Sequence, residues 1–301
     1  MIVVIAGPTG VGKTKLSIAL AKHFNTEIIS GDSVQVYQGL NIGSAKITDE
    51  EKAGIKHYML DILLPHEPFS VALYQRLVRK HIDTFLDANK LPLIVGGTGF
   101  YIKSVLHDFD FQGAHRPIAF DEQYAAYDNQ ALHDALNKVD HQSAENIHQN
   151  NRKRVLQALY RALHSNSKRS EQAASEKAVY DYLIIGLTMP RKELHMRIED
   201  RVNTMFEAGL LEEVEGLYYL YKNTQSLEAI GYKEIIGYIE GHYSLETAKT
   251  LIKTHTRRYA KRQYTYFNNQ FDTKWLEVDT NDFDKTVQSA IKLIESYKKQ
   301  R

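Results

Sequence analysis

Gly7-Pro8-Thr9-Gly10-Val11-Gly12-Lys13-Thr14 decides the fold of this chain, because this stretch matches the phosphate-binding pattern G-x-x-x-x-G-K-[ST]. The apolar run Ile2–Ala6 in front of it is typical of a buried parallel strand. Residues Lys15 to Phe24 behind it carry apolar side chains at helical spacing. A strand, a glycine-rich loop and a helix in this order direct backbone N–H groups at an anion. The sequence therefore predicts a loop that cradles phosphate groups.

Two side chains of this phosphate loop have predicted roles of their own. The ammonium group of Lys13 can reach the outer phosphate oxygens, and the hydroxyl of Thr14 can bind Mg²⁺. We therefore expect Mg²⁺ as a cofactor, with Thr14 as its ligand from the protein. The residues to which we assign phosphate binding are Gly7, Thr9, Gly10, Val11, Gly12, Lys13 and Thr14.

Length and composition exclude several classes of protein. With 301 residues, the chain can form one large domain with an insertion, or two modest domains. It contains no cysteine, which excludes disulfide bonds and thiolate metal sites and is compatible with a cytoplasmic location. We expect no signal peptide. We also expect no membrane contact, because no apolar run approaches the ~20 residues of a membrane span.

The basic residues are unevenly distributed along a chain whose formal net charge is only +1. No acidic residue lies between Glu145 and Glu171, or between Glu246 and Asp272. Such stretches fit either a local site for a polyanion or solvated helix faces. Their basic residues are Arg152, Lys153, Arg154, Arg161, Lys168 and Arg169 in the first, and Lys249, Lys253, Arg257, Arg258, Lys261 and Arg262 in the second.

Strand-like and helical segments alternate along the chain, which predicts an α/β fold of three layers with a mostly parallel sheet. We assign residues 1–112 and 176–301 to this core domain, whose C-terminal part is mainly helical, and residues 113–175 to a helical insertion domain. Ser70 is the expected N-cap of a helix. The predicted strands are Ile2–Ala6, Glu27–Ser30, His57–Leu63, Leu91–Val95, Tyr182–Leu187 and Trp275–Val278, and the later helices are Arg191–Glu207, Leu211–Tyr221, Leu245–Asn268 and Lys285–Lys298.

Two further loops follow predicted strands and carry polar side chains. In an open parallel sheet, the chemistry lies beyond the carboxyl ends of the strands. Asp32, after the second strand, is therefore a candidate base for a nucleophile held near the phosphates. Thr98, after the fourth strand, could donate or relay a proton, or bind a bridging phosphate oxygen. The structural alternatives are that Asp32 caps a turn and that Thr98 satisfies backbone groups.

An acid that ATPases use is missing from its expected place. An ATPase with this loop usually has an apolar strand that ends in an acid, which holds Mg²⁺. The strand before Gly96 ends without one, and the nearest candidate, Asp61, has a structural role as its alternative. The residues thus predict phosphate binding, a carboxylate base and Mg²⁺, without an evident apparatus for ATP hydrolysis.

A series of motifs runs through nearly the whole chain in a set order. They are Gly7–Thr14, Asp32–Tyr37, Asn41–Lys46, Phe69–Ala72, Gly96–Tyr101, Arg197–Val202, Ala208–Val214, Ile230–Glu234 and Thr256–Gln263. One such motif alone is weak, but in series they are highly specific. In this series the chain resembles the bacterial tRNA dimethylallyltransferases, which prenylate an adenosine beside the anticodon.

The chain also departs from this family's pattern. In the segment from His148 to Tyr160, an Asp, an Arg and a Glu of the family are replaced by Asn151, Gln157 and Tyr160, while Arg154 is retained. Tyr266 stands where the family often has a Trp after the Lys-Arg-Gln motif, and it still offers an aromatic face.

The resemblance implies dimethylallyl diphosphate as the donor and N6 of adenosine as the acceptor. The phosphate loop would then grip the diphosphate leaving group, with Asp32 as the base, Arg201 reaching the diphosphate and Thr98 near its bridging oxygen. The implied partner is the anticodon stem-loop of tRNA, bound by a monomer. The residues that we assign to tRNA binding are Asp32, Ser33, Val34, Gln35, Tyr101, Arg154, Arg257, Arg258, Lys261, Arg262 and Gln263.

Three other functions use some of the same residues. A small-molecule kinase would use the loop for ATP and Asp32 as a base for a hydroxyl, but the missing acid and the basic segment Arg257–Gln263 argue against it. An adenylate dimethylallyltransferase shares the loop and the chemistry, whereas the insertion and the basic segment favour tRNA. An RNA-binding module without activity would leave the loop, Asp32 and Thr98 without a role.

Overall fold

The computed structural model describes residues 1–109, 111, 116–164 and 177–300, and the strands within them form one parallel sheet of six. The strand order is β3-β2-β4-β1-β5-β6, so the strand that leads into the phosphate loop lies inside the sheet. This arrangement confirms the predicted α/β class with a mostly parallel sheet. The strands are Ile2–Ala6 (β1), Ile28–Ser30 (β2), His57–Tyr58 (β3), Leu93–Val95 (β4), Tyr182–Thr188 (β5) and Thr273–Glu277 (β6).

Helices connect the strands and follow the last one. A 3-10 helix spans Gln225–Glu228. The described α-helices are Lys13–His23 (α1), Asp49–Lys52 (α2), Val71–Asp87 (α3), Gly99–Leu106 (α4), Ile118–Gln123 (α5), Asn129–Val139 (α6), His141–Asn146 (α7), Arg152–His164 (α8), Arg191–Glu207 (α9), Leu210–Tyr221 (α10), Tyr232–Ile239 (α11), Leu245–Gln270 (α12) and Phe283–Lys299 (α13).

The strand β1 is buried along its entire length, as its run of apolar residues predicts. Successive side chains of a strand point to opposite faces, so both faces of the sheet are covered. On one face, Val3 and Ile5 belong to a core cluster with Leu16 and Leu20 of α1 and Ile291 of α13. This packing holds the start of α1, and with it the phosphate loop, against the end of β1.

The predicted strand His57–Leu63 is wrong in its length, because β3 ends at Tyr58. Met59 and Asp61 have φ angles of 65° and 54°, in the left-handed region. This backbone conformation cannot continue a strand. The apolar residues after Tyr58 therefore lie in a loop rather than in the sheet.

Four other strands differ from the prediction by one or two residues at their ends, with β2 beginning at Ile28 and β5 ending at Thr188. The strand β4 begins at Leu93 instead of Leu91, after Pro92, which has no N–H to donate to a sheet. The strand β6 covers Thr273–Glu277 rather than Trp275–Val278. The predicted N-cap of α3 is confirmed, since the amide of Leu73 donates to Ser70 Oγ at 3.2 Å.

The chain divides into two compact units, Met1–Val105 with Tyr180–Arg301, and Leu106–Val179. The first contains the sheet and the phosphate loop. The second is helical and has its own core, which includes Leu132, Leu136 and Val155. The domain boundaries expected at residues 112–113 and 175–176 fall outside the described residues.

Candidate active site

The phosphate loop has the backbone conformation that its glycines allow. Gly7 has a φ of 137°, and a Cβ there would lie 2.7 Å from the carbonyl oxygen of Leu187 on the neighbouring strand β5. Gly12 has a φ of 105° and forms the N-cap of α1. Both positions require glycine, since other residues rarely adopt these angles. The loop therefore approaches the sheet closely and ends at a helix N-terminus, which favours an anion.

Lys13 lies folded over this loop. Its Nζ donates hydrogen bonds to the carbonyl oxygens of Gly7 and Pro8, both at 2.9 Å. Burial, together with the positive charge of Arg201, lowers the pKa of Lys13 to about 7, although the negative charge of Asp32 acts in the opposite direction. An anion bound in the loop would stabilise the protonated, positively charged form of this lysine.

An open cavity of about 750 Å³ adjoins the loop and collects most of the predicted site residues of the sheet-containing unit. Residues from the loops after β1, β2 and β4 line it together with parts of α9 and α12. The carboxyl ends of three neighbouring parallel strands thus meet at one site, as predicted. The predicted residues on its wall are Thr9, Gly10, Gly12, Lys13, Thr14, Asp32, Ser33, Val34, Gln35, Arg201, Arg262 and Gln263.

Asp32 lines this cavity and also caps a turn. Its Oδ1 accepts hydrogen bonds from the amides of Val34 at 2.8 Å and Gln35 at 3.3 Å. The structural alternative considered for Asp32 is therefore present in the molecule. Both hydrogen bonds of the turn go to Oδ1, so Oδ2 takes no part in the turn. The two bonds also fix the orientation of the carboxylate. The carboxylate can hold the loop and act as a base together.

Thr98 is linked to the second loop and to the helix α12. Its Oγ1 lies 3.5 Å from the hydroxyl of Ser33. Tyr259 hydrogen bonds to Thr98 and Gln263, and burial raises the pKa of Tyr259 to about 12. Tyr259 lines the cavity, although it is not among the site residues predicted from the sequence. Its position inside the motif Thr256–Gln263 was the available signal.

Arg201 comes from α9 and reaches the phosphate loop. Its Nη1 lies 3.4 Å from the hydroxyl of Thr9, and the side chain lines the cavity beside Lys13. Two cations therefore stand next to the loop, where they can oppose the charge of a diphosphate. This position is compatible with the role at the diphosphate that the resemblance implies for Arg201, which stays a prediction.

Gln263 is 4% exposed and belongs to the support of the phosphate loop. Its Oε1 accepts a hydrogen bond from the amide of Thr9 at 2.9 Å. We predicted it as a contact for tRNA, and in the structure its side chain is used within the protein. Its contact with tRNA stays a prediction.

Three basic residues of α12 lie at a second cavity, of about 600 Å³. Arg258, Lys261 and Arg262 are exposed there, next to the aromatic ring of Tyr266. Arg262 also lines the first cavity. This arrangement of cations and an aromatic face beside the phosphate loop suits a nucleic acid.

The other predicted tRNA contacts lie elsewhere. Arg257 is half-buried and donates a hydrogen bond to Glu199. Tyr101 packs against Tyr74, with ring centroids 5.1 Å apart, and burial raises its pKa to about 12. Arg154 belongs to the helical unit Leu106–Val179.

The residues at the loop fit Mg²⁺ in one specific way. Across residues 1–109, 111, 116–164 and 177–300, no cluster of three or more His, Cys, Asp or Glu side chains could hold a metal ion. Thr14, however, has an exposed side chain on the cavity wall. Mg²⁺ is often bound by one or two protein oxygens together with phosphate oxygens. Asp61, the nearest candidate for an acid that holds Mg²⁺, forms an ion pair with Lys46. This contact agrees with the structural role that was the alternative for Asp61.

No described helix is both long enough and apolar enough to cross a membrane.

Comparison with known proteins identifies the family. Residues 35–270 match the family model described as IPP transferase. A tRNA dimethylallyltransferase of Bacillus cereus is 50% identical over 292 residues, which cover 95% of this chain and 92% of the relative. A crystal structure of the tRNA isopentenylpyrophosphate transferase of Bacillus halodurans is 42% identical, with a TM-score of 0.76 over 98% of this chain and 95% of the other.

A second structure extends the similarity beyond bacteria. A eukaryotic dimethylallyltransferase, described as acting on tRNA, is 29% identical, with a TM-score of 0.89 over 100% of this chain and 80% of its own. The family model covers more than half of the chain, and the relatives align over nearly all of it. By sequence and by fold, the chain belongs to the IPP transferase family.

Proposed function

We propose that this chain transfers the dimethylallyl group of dimethylallyl diphosphate to N6 of an adenosine beside the anticodon of tRNA, and releases diphosphate. One observation carries the proposal: Asp32, a carboxylate suited to act as a base, faces the same cavity as the phosphate loop. A base and a diphosphate-binding loop in one cavity meet the two needs of the reaction, which are removal of the N6 proton and stabilisation of the departing diphosphate. The names of the relatives agree with it.

The donor would bind with its diphosphate in the loop and its prenyl group against an apolar wall. Lys13 and Arg201 stand at the loop, where they can neutralise the charge of the diphosphate. Ile198, Val202 and Met205 of α9 line the same cavity. They can cover a five-carbon chain and keep water from the reacting carbon.

The acceptor needs help because the lone pair of N6 is delocalised into the adenine ring. Asp32 would take a proton from N6 as the nitrogen forms its bond to the allylic carbon. The bond between that carbon and the bridging oxygen breaks, and its electron pair leaves with the diphosphate. Thr98, whose Oγ1 lies 3.5 Å from the hydroxyl of Ser33, is our candidate for a hydrogen bond to this oxygen.

Mg²⁺ would be held by the Thr14 hydroxyl and the phosphate oxygens. When bound, it adds positive charge to the leaving group. The protein's own contribution there is the set of backbone N–H groups, Lys13 and Arg201.

The basic surface of α12 would contact the RNA. Arg258, Lys261 and Arg262 can bind phosphates of the stem-loop, and Tyr266 offers a face on which a base can stack. An extruded base costs a few kcal/mol, and less in a loop than in a duplex. These contacts can offset that cost. We assign the reaction to a monomer in the cytoplasm.

The test is incubation of the protein with dimethylallyl diphosphate, Mg²⁺ and either tRNA, AMP or ATP. We expect prenylated adenosine in tRNA and none in AMP or ATP, measured by mass spectrometry of digested products. Prenylation of AMP but not of tRNA would support an adenylate dimethylallyltransferase. Transfer of phosphate from ATP to a small molecule would contradict prenyl transfer altogether.

A further inference from the structure

The carboxylate of Glu213 binds three consecutive backbone amides of a loop at the cavity. The amides of Asn41 and Gly43 donate to it at 3.1 Å each, and the amide of Ile42 donates at 2.8 Å. Successive N–H groups of this kind form an anion-binding concavity. Here an internal carboxylate fills that concavity, so the loop is held by a side chain 170 residues away from Gly43.

Tyr232 supports the same carboxylate from the other side. Its hydroxyl donates to Glu213 Oε1 at 2.8 Å, and its side chain is 0% exposed. Its ring also packs on Gly43, where an added Cβ would lie 2.5 Å from Cε2. The carboxylate and the ring together hold the loop in its observed position.

The next two residues of this loop hold the side chain of Gln35. Its Nε2 donates to the carbonyl oxygens of Ser44 at 3.2 Å and Ala45 at 3.3 Å. Its Oε1 accepts from the hydroxyl of Ser30 at 3.3 Å. Both amide hydrogens are therefore used by the protein, and Gln35 can offer the cavity only an acceptor.

From this chain of contacts we infer that Glu213 is a positioning residue for recognition of the target base. Through the loop Asn41–Ala45, it orients Gln35 so that Oε1 faces the 6-amino group of the purine. An amino group has two hydrogens, so one can go to Asp32 in the reaction while the other binds Gln35. A 6-oxo purine would place an acceptor against Oε1 and be disfavoured. The inference rests on the proposed function.

Glu213→Gln tests it, because glutamine keeps the size but turns an N–H₂ group toward N–H donors. The measurements are kcat/KM for tRNA and binding of stem-loops that carry adenosine or inosine at the target position. We expect kcat/KM to fall about 10- to 100-fold, as for other misplaced site residues. The preference for adenosine over inosine should fall toward one, and the Kd of dimethylallyl diphosphate should stay unchanged. Glu212→Gln, an exposed neighbour on α10, is the matched control and should change none of these values.

Tyr232→Phe is the second variant, since it removes one hydrogen bond to Glu213 and keeps the ring on Gly43. It should shift the adenosine preference in the same direction by a smaller factor, and it decides the question if Glu213→Gln does not fold. A purely structural role would lower the melting temperature and leave the preference unchanged, which would overturn the inference. Absence of prenylation by the wild-type protein would instead overturn the proposed function, and the inference with it.

Discussion

The amide of Thr9 in the phosphate loop donates a 2.9 Å hydrogen bond to the side chain of Gln263, 254 positions later in the chain. This bond ties the loop that would hold the donor to the helix α12, whose basic side chains face the second cavity. A backbone N–H of the loop thereby has a buried partner, and the partner comes from the segment expected to meet RNA. The two proposed binding sites are physically joined at this point.

Gln263→Ala should weaken binding of dimethylallyl diphosphate by about tenfold. The amide of Thr9 would lose its partner, and an unpaired polar group costs about 1–3 kcal/mol. Calorimetric titration of the donor gives the Kd. Gln288→Ala, an exposed glutamine on α13, is the control and should leave the Kd unchanged. An unaltered Kd for Gln263→Ala would show that the loop does not need this bond.

Gly97→Ala should act through the same hydrogen bond. An added Cβ would lie 1.9 Å from Nε2 of Gln263, so the side chain would have to move away from Thr9. We expect the donor Kd to rise as in Gln263→Ala, and the double variant to be no worse than either single one. A double-mutant cycle on the Kd measures this coupling. Additive effects would mean that Gly97 matters for another reason.

Asp32→Asn should abolish most turnover while it spares RNA binding. Asparagine keeps an oxygen for the amides of Val34 and Gln35, so the turn survives, but it cannot take the proton from N6. Loss of general-base catalysis costs about 10²- to 10⁴-fold in rate. Single-turnover prenylation and binding of the stem-loop are the two measurements.

Asp61→Asn serves as the control for Asp32. Asp61 pairs with Lys46, so its replacement should leave the prenylation rate close to that of the wild type. The assignment would be wrong if Asp61→Asn lost most of its prenylation rate while Asp32→Asn kept a normal rate. Asp61 would then be the base, and Asp32 would have only a structural role.

Donor binding should weaken as the pH rises through about 7. Burial lowers the pKa of Lys13 to about 7, so its charged form is lost over this range in the free protein. A bound diphosphate favours the charged form and raises the pKa, so binding above pH 7 must take up a proton. Calorimetry in buffers of different ionisation enthalpy measures this uptake.

Lys13→Met is the control for the pH effect, because the diphosphate itself also titrates. The variant should bind the donor more weakly and lose the part of the proton uptake that belongs to Lys13. If the wild type and the variant took up the same number of protons on binding the donor, the whole pH effect would come from titration of the diphosphate.

Gly96→Ala and Gly216→Ala should change stability in opposite directions. A Cβ at Gly96 would lie 2.2 Å from the carbonyl oxygen of Gly31, which is backbone and cannot turn away. Gly216 lies inside α10 with open space around it, and alanine there should stabilise the helix by roughly 0.5–1 kcal/mol. Urea unfolding gives both free energies. A stable Gly96→Ala variant would contradict the close approach of the two loops.

Much of the fold could be predicted because its signals are local. The glycine pattern, the apolar strand Ile2–Ala6 and the N-cap Ser70 each depend on residues a few positions apart. The strand after His57 was predicted too long for the same reason: its apolar pattern did not reveal the left-handed backbone at Met59 and Asp61. Backbone angles in a loop depend on what the loop packs against.

The sequence by itself predicted phosphate binding at the loop Gly7–Thr14, a parallel α/β core, and a position for Asp32 near that loop. Only the tertiary structure decided that Gln263 holds Thr9 and that Glu213 holds the amides of the loop at Asn41. A phosphate loop is made by neighbours in sequence, so its pattern is visible in the chain. A buried hydrogen bond between distant residues depends on how whole helices pack, and no local pattern encodes that.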